Sequence, residues 1–107
     1  MVIYYHEYFY GKHKIALKLK IMDSEDVLRI YMEAFSENLK RLRKEKYDTM
    51  NEVSVNSEID ASNYNKFEKS KGNPTIKTLL KIASAFGIPP KELFDFEFDI
   101  TKYKIDE

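Results

Sequence analysis

Between Asp60 and Lys71 the chain sets Ser62, Asn63, Asn65, Lys66, Lys69 and Lys71 close together. These side chains suit contact with nucleic acid. An Asn amide can pair with N6 and N7 of an adenine in the major groove. Hydroxyl and ammonium groups bond phosphate oxygens, as do the amides at helix N-termini. Tyr64 and Phe67, three residues apart, fall together on one helical face, and the polar residues occupy the rest. An ordinary solvated helix face has the same composition, so the residue types alone leave both readings open. Other chemistry has less support. The absence of Cys excludes disulfides, thiolate zinc sites and cysteine nucleophiles. The two histidines, His6 and His13, have no companions at ligand spacing, so no metal site and no cofactor are expected. No carboxylate pair, Ser/His/Asp set or Gly-rich phosphate loop stands out, so the chain is not expected to be an enzyme.

The elements that must carry these residues are legible in the pattern. Residues 2–10 are dense in aromatic and β-branched types, Gly11-Lys12-His13 is a turn candidate, and Ile15, Leu17, Leu19 and Ile21 alternate with Lys14, Ala16, Lys18 and Lys20. That is a strand pattern, and a hairpin is expected. Asp23 and Ser24 can cap a helix with Glu25 and Asp26 in its first turn. Its apolar stripe is Val27, Tyr31, Phe35, Leu39 and Leu42, and it either runs to about Lys46 or breaks near Ser36. Thr49 can cap a short helix with Val53 inward. Asp60 can cap residues 61–69, and Thr75 a helix bearing Ile76, Leu79, Leu80, Ile82, Ala83 and Phe86, stopped by Gly87. Pro89-Pro90 opens a last short helix to Phe94. Phe94, Phe96, Phe98 and Ile100 then alternate with Asp95, Glu97 and Asp99, a second strand pattern expected to pair with Lys14–Ile21.

In this order of short helices, Leu39-Lys-Arg-Leu42-Arg-Lys-Glu-Lys46, Ile59, Phe67-Glu68-Lys69-Ser70-Lys71, Asn73-Pro74, Thr78 to Ala83 and Glu92-Leu93-Phe94 resemble the Cro/phage-repressor type (XRE-like) helix-turn-helix DNA-binding family. The resemblance runs without a gap from Phe35 to Phe94. It implies a mainly α fold: a five-helix, lambda-repressor-like DNA-binding domain, here with a small β element made by the N- and C-terminal extensions. The domain reading is residues 1–34 as an N-terminal extension, 35–94 as the helix-turn-helix domain and 95–107 as an acidic, strand-like tail. By the same resemblance Thr49, Ala61, Ser62, Asn63, Asn65 and Lys66 face DNA, joined by Lys69 and Lys71. Glu68 is expected to pair with Arg43 as a structural ion pair. Three positions depart from the family pattern: Met50 stands at the usual glutamine, Asp60 at the usual serine cap and Glu58 at the usual turn glycine. A side chain at positive φ in that turn costs about 1 kcal/mol, so the turn is expected to be strained or reshaped.

The implied function is sequence-specific binding of double-stranded DNA by a small transcriptional regulator, a repressor or autoregulator acting as a homodimer. The alternative is a protein-interaction module on the same scaffold with weak or lost DNA binding. The charge distribution fits the first. The 107 residues carry 18 basic and 18 acidic groups, net zero. Residues 35–94 nevertheless hold eleven basic and eight acidic groups, net +3, whereas 95–107 hold two and five, net −3. A basic domain suits phosphate. With no Arg between Asp60 and Lys71, the commonest guanine contact is missing, and A·T-containing sites are favoured. No apolar run is long enough to span a bilayer, and the N-terminal stretch is interrupted by His6, Glu7 and lysines, so a cytoplasmic location and no membrane partner are expected.

Overall fold

The computed structural model describes residues 2–10 and 13–106, with side chains from Met22 to Ile105. The chain divides into two compact units, one made of residues up to Leu28 together with those from Phe98 onward, the other of Arg29–Glu97.

The first unit is a three-stranded sheet in the order β1-β2-β3, with β1 Val2–Tyr10, β2 His13–Asp23 and β3 Tyr103–Asp106. β1 and β2 are antiparallel in register from Val2↔Ile21 to Tyr10↔His13, so the expected hairpin is present. Of its expected turn, Gly11-Lys12-His13, the first two residues lie outside the described residues and His13 is instead the first residue of β2; the side chains of His6 and His13 also lie outside the described residues. β3 runs parallel to the end of β2, from Lys20↔Tyr103 to Asp23↔Asp106.

Contrary to the expected pairing, Phe94–Ile100 does not join β2: the C-terminal strand is Tyr103–Asp106, and the alternating phenylalanines are not a strand. Pro90–Phe94 is a 3-10 helix entered through Pro89, and Asp99 caps a second one, Ile100–Lys102, by accepting from the Thr101 amide at 3.0 Å. The rings go to separate neighbours instead of sharing one sheet face. Phe94 lies 5.4 Å from Phe35, Phe96 5.2 Å from Tyr31, and Phe98 stacks at 5.8 Å on Tyr103.

Helix α1, Ser24–Lys44, begins where β2 ends. Asp23 caps it by accepting from the Asp26 amide at 2.8 Å. Acids in its first turn and Arg41, Arg43 and Lys44 in its last complement the helix dipole. It does not break at Ser36. The buried Ser36 hydroxyl lies 2.7 Å from the Met32 carbonyl and 2.5 Å from the Phe67 carbonyl, so it stays within the helix and reaches the end of another.

The second unit continues with α2 Met50–Val55, α3 Ala61–Glu68 and α4 Ile76–Phe86. Four α-helices are therefore described, and the segment expected as a fifth is the 3-10 helix at Pro90–Phe94. Phe35, Leu39, Val53, Tyr64, Ile82 and Leu93 are fully buried and form the centre of the core. Asn38 on α1 closes the C-terminal side, its amide donating to the carbonyls of Glu92 and Leu93 at 2.9 and 3.0 Å.

Both longer connections follow local chemistry. After α4, Gly87 takes φ 69°, with Ile88 N–H donating to Ala83 and Gly87 N–H to Ser84. After α3 the same hydrogen-bond pair recurs, Lys71 N–H to Lys66 at 2.8 Å and Ser70 N–H to Phe67 at 3.4 Å, but the left-handed position is Ser70, φ 61°. An L side chain there costs about 1 kcal/mol relative to glycine. Part of that is offset because glycine frees the unfolded chain. Ser70→Gly is therefore expected to raise stability by about 0.5 kcal/mol, read as a rise in the urea midpoint at unchanged slope.

Candidate nucleic-acid interface

The candidate interface is α2, a short turn and α3. Thr49 caps α2: its hydroxyl oxygen accepts from the Glu52 amide at 3.3 Å and donates to Glu52 Oε1 at 3.2 Å. Val53 then points into the core. The turn through Glu58 does not use a left-handed residue; Glu58 has no positive φ, so the expected strain is absent. Side chains replace the glycine. The Asn56 amide donates to the Glu52 carbonyl at 2.7 Å and Ser54 Oγ to the Ile59 carbonyl at 3.1 Å, while the Ile59 amide donates to Ser57 Oγ at 3.2 Å. Ile59 is buried and fixes the turn to the core.

Asp60 caps α3, accepting from the Asn63 amide at 3.3 Å and from the Ser62 hydroxyl. The Ser62 hydroxyl and the Asn63 amide hold its carboxyl below the ordinary carboxylate range. This places a carboxylate at the helix N-terminus and engages the proton that Ser62 would otherwise offer to a phosphate. Tyr64, Phe67 and Glu68 are buried. At 100° per residue, the opposite face is Ser62, Lys66 and Lys69, with Asn63 on one flank and Ala61 and Asn65 on the other. Ser62, Asn63, Lys66 and Lys69 are exposed, as are Lys71 and Thr49. Ala61 and Asn65 are half-buried, and Asn65 Oδ1 is enclosed without a hydrogen-bond partner.

The orientation of α3 is set from below. Glu68 receives two hydrogen bonds from Arg43 of α1, Nε to Oε2 at 2.7 Å and Nη2 to Oε1 at 3.1 Å. The side chains are 6% and 1% exposed, so this is a buried bidentate ion pair. The same guanidinium donates through Nη1 to the carbonyls of Tyr47 and Asp48, at 3.2 and 2.8 Å. One arginine therefore ties α1 both to α3 and to the segment that enters α2. The hydrogen bond to Glu68 raises the Arg43 pKa further, against the effect of burial. The Tyr64 hydroxyl lies in the same buried region; burial first, and the Glu68 carboxylate second, push its pKa far above that of a free phenol. The carbonyl contacts of Arg43 carry no sequence pattern, whereas the engagement of Ser62 follows from its place two residues after an aspartate.

Among the described residues no cluster of His, Cys, Asp and Glu could hold a metal ion, and no helix is long and apolar enough to cross a membrane.

The deciding comparison is with protein families: the helix-turn-helix family model matches residues 39–93, just over half of the chain. The chain belongs to the helix-turn-helix family of the XRE type. Within this helix-turn-helix protein the matched residues take in the end of α1, all of α2, α3 and α4, and the 3-10 helix as far as Leu93. Among solved structures, the restriction-modification controller protein C.AhdI from Aeromonas hydrophila is similar, with 30% sequence identity and a TM-score of 0.56. That likeness covers 59% of this chain and 96% of the controller. No curated protein matches. The family and this likeness make the chain a DNA-binding regulator of transcription and argue against an enzyme.

Proposed function

We propose that this helix-turn-helix protein binds double-stranded DNA in a sequence-specific way as a homodimer and represses transcription, its own included, with α3 in the major groove. The observation that carries the reading is the polar face of α3, Ser62, Lys66 and Lys69 flanked by Asn63, held outward by the buried Arg43–Glu68 pair. Asn63 is the residue placed to read adenine, and Lys66, Lys69 and Lys71 are placed to neutralise phosphates. Asn65, being half-buried, supports the face from behind. Thr49 and Ser62 secure the two helix starts, their hydroxyl protons engaged by Glu52 and Asp60. The likeness to a restriction-modification controller favours a regulator of that kind, working on a promoter that controls its own synthesis.

Two carboxylates temper the affinity. Glu52 sits in the first turn of α2 and Asp60 at the start of α3, where phosphates would approach. With a net charge of +3 over residues 35–94, binding is expected to be moderate and strongly salt-dependent. Those acids, with the exposed Val55, Ile76 and Leu80, are what favour the second reading, a protein-interaction module.

Selection from a pool of random duplexes, followed by fluorescence anisotropy at 50 and 200 mM salt, separates the two. The proposed function gives an enriched, A·T-containing sequence with two-fold symmetry and two chains per duplex. Absence of any retained duplex at the lower salt refutes it.

A further inference from the structure

We propose that the outer edge of β1 is the surface through which two copies of this chain join, by antiparallel pairing of β1 with β1 about a two-fold axis at His6. This gives the homodimer of the preceding section its interface, and rests on that reading.

Among the described residues the sheet order is β1-β2-β3, so β1 has a neighbour on one side only. Its other side is a row of nine residues whose outward backbone N–H and C=O groups have no partner strand among the described residues. Folded proteins guard such edges with lysine, proline, bulges or short length. β1 has none of these. Seven of its nine residues are aromatic or β-branched, without proline or glycine, and Glu7 is its one acidic or basic residue apart from His6. The opposite side of the sheet is guarded. There β3 is four residues long and carries Lys104 and Asp106, and the part of β2 that β3 leaves uncovered, His13–Leu19, carries Lys14 and Lys18. The unguarded edge is thus the one built to be paired.

The register follows from geometry. Residues directly opposite in an antiparallel pair lie on the same face of the sheet. In a two-fold pair the two opposed positions must therefore have the same parity, and the axis passes through a residue. An axis at Glu7 sets Glu7 against Glu7, a direct like-charge pair. An axis at Tyr5 leaves Phe9 and Tyr10 unpaired. An axis at His6 pairs all nine residues, Val2 with Tyr10, Ile3 with Phe9, Tyr4 with Tyr8 and Tyr5 with Glu7. The pairing closes on itself as a six-stranded sheet, β3-β2-β1-β1-β2-β3, with only the guarded edges outermost. Head-to-tail addition of β1 to β2 would instead grow without end.

The absence of native cysteine makes single-cysteine trapping unambiguous. In the His6→Cys protein the two introduced residues face each other with Cα atoms about 4.5–5.5 Å apart, within disulfide reach. In Val2→Cys they lie roughly 26 Å apart along the strand. Mild oxidation is expected to convert His6→Cys to a covalent dimer at least ten times faster than Val2→Cys. Should His6→Cys fail to fold, mixed Tyr5→Cys and Glu7→Cys chains are expected to cross-link to each other in preference to themselves. Sedimentation of the wild-type protein is run alongside. A dimer with no preference for these positions overturns the β1 interface and leaves the two-copy reading intact. A monomer at tens of micromolar overturns both.

Discussion

Glu68→Ala is expected to destabilise the helical unit by about 3–5 kcal/mol. The reason is the state it leaves behind. Arg43 is 6% exposed and spends two of its donors on Glu68. Without the carboxylate a guanidinium remains buried with no counter-charge, and it cannot shed its proton to escape. The remaining bonds to the Tyr47 and Asp48 carbonyls hold it in place. Replacing both partners, Arg43→Met with Glu68→Leu, removes the charge and the need for it together. The double variant is expected to be markedly more stable than Glu68→Ala, since a buried pair exchanged for apolar groups is often neutral. Urea denaturation followed by circular dichroism measures both. A loss below 1 kcal/mol for Glu68→Ala would place the pair among ordinary surface ion pairs and remove the basis for calling α3 rigidly held.

The second large effect concerns DNA. Asn63→Ala is expected to weaken binding to a selected duplex by about 1–3 kcal/mol, or roughly 5- to 150-fold, and to relax preference at the base pair it reads. Lys66→Ala should lower affinity for all duplexes alike and reduce the slope of log K against log salt by about 1 per chain. Both side chains are exposed on a helix whose packing lies on its other face, so neither change should move the unfolding midpoint. The contrast between the two variants is the informative part. If Asn63→Ala changed affinity but not preference, it would be a positioning contact, and base reading would have to lie elsewhere on α3.

Much of this architecture was legible in the sequence because its determinants are local. Thr49, Asp60 and Thr75 cap the helices they precede, and Gly87 stops α4 in the left-handed conformation. Caps depend on residues three apart, so type and spacing suffice to find them. The buried stripe of α3 follows from helical period alone. What the sequence hid is non-local or compensated. The run from Phe94 to Ile100 alternates as a strand should, yet each ring answers to a different neighbour, and the strand that joins the sheet lies further on at Tyr103–Asp106. Pairing with β2 is decided across about 80 residues, beyond any local rule. Glu58 in place of a turn glycine suggested strain, but Asn56, Ser57 and Ser54 supply the hydrogen bonds that let the turn avoid positive φ. The strained position is Ser70, two residues past the end of α3 at Glu68, where no local rule distinguishes a serine from its neighbours.

The net charge of zero likewise concealed a functional division. Its basic excess lies with the helix-turn-helix elements and its acidic excess in residues 95–107. Two acids of the candidate interface, Glu52 and Asp60, are the partners of Thr49 and Ser62. They secure the two helix starts at the expense of anion affinity. A regulator that binds moderately in one copy and tightly in two would use such an arrangement well.

The most direct test is a footprint of the wild-type protein on its selected duplex, with hydroxyl radicals for the backbone and dimethyl sulfate for guanine N7 in the major groove. Two protected major-groove patches are expected about one helical turn, roughly 34 Å, apart on one face of the duplex, both lost in the Lys66→Ala and Asn63→Ala double variant. Uniform protection along the duplex, or protection unchanged in that variant, would contradict it.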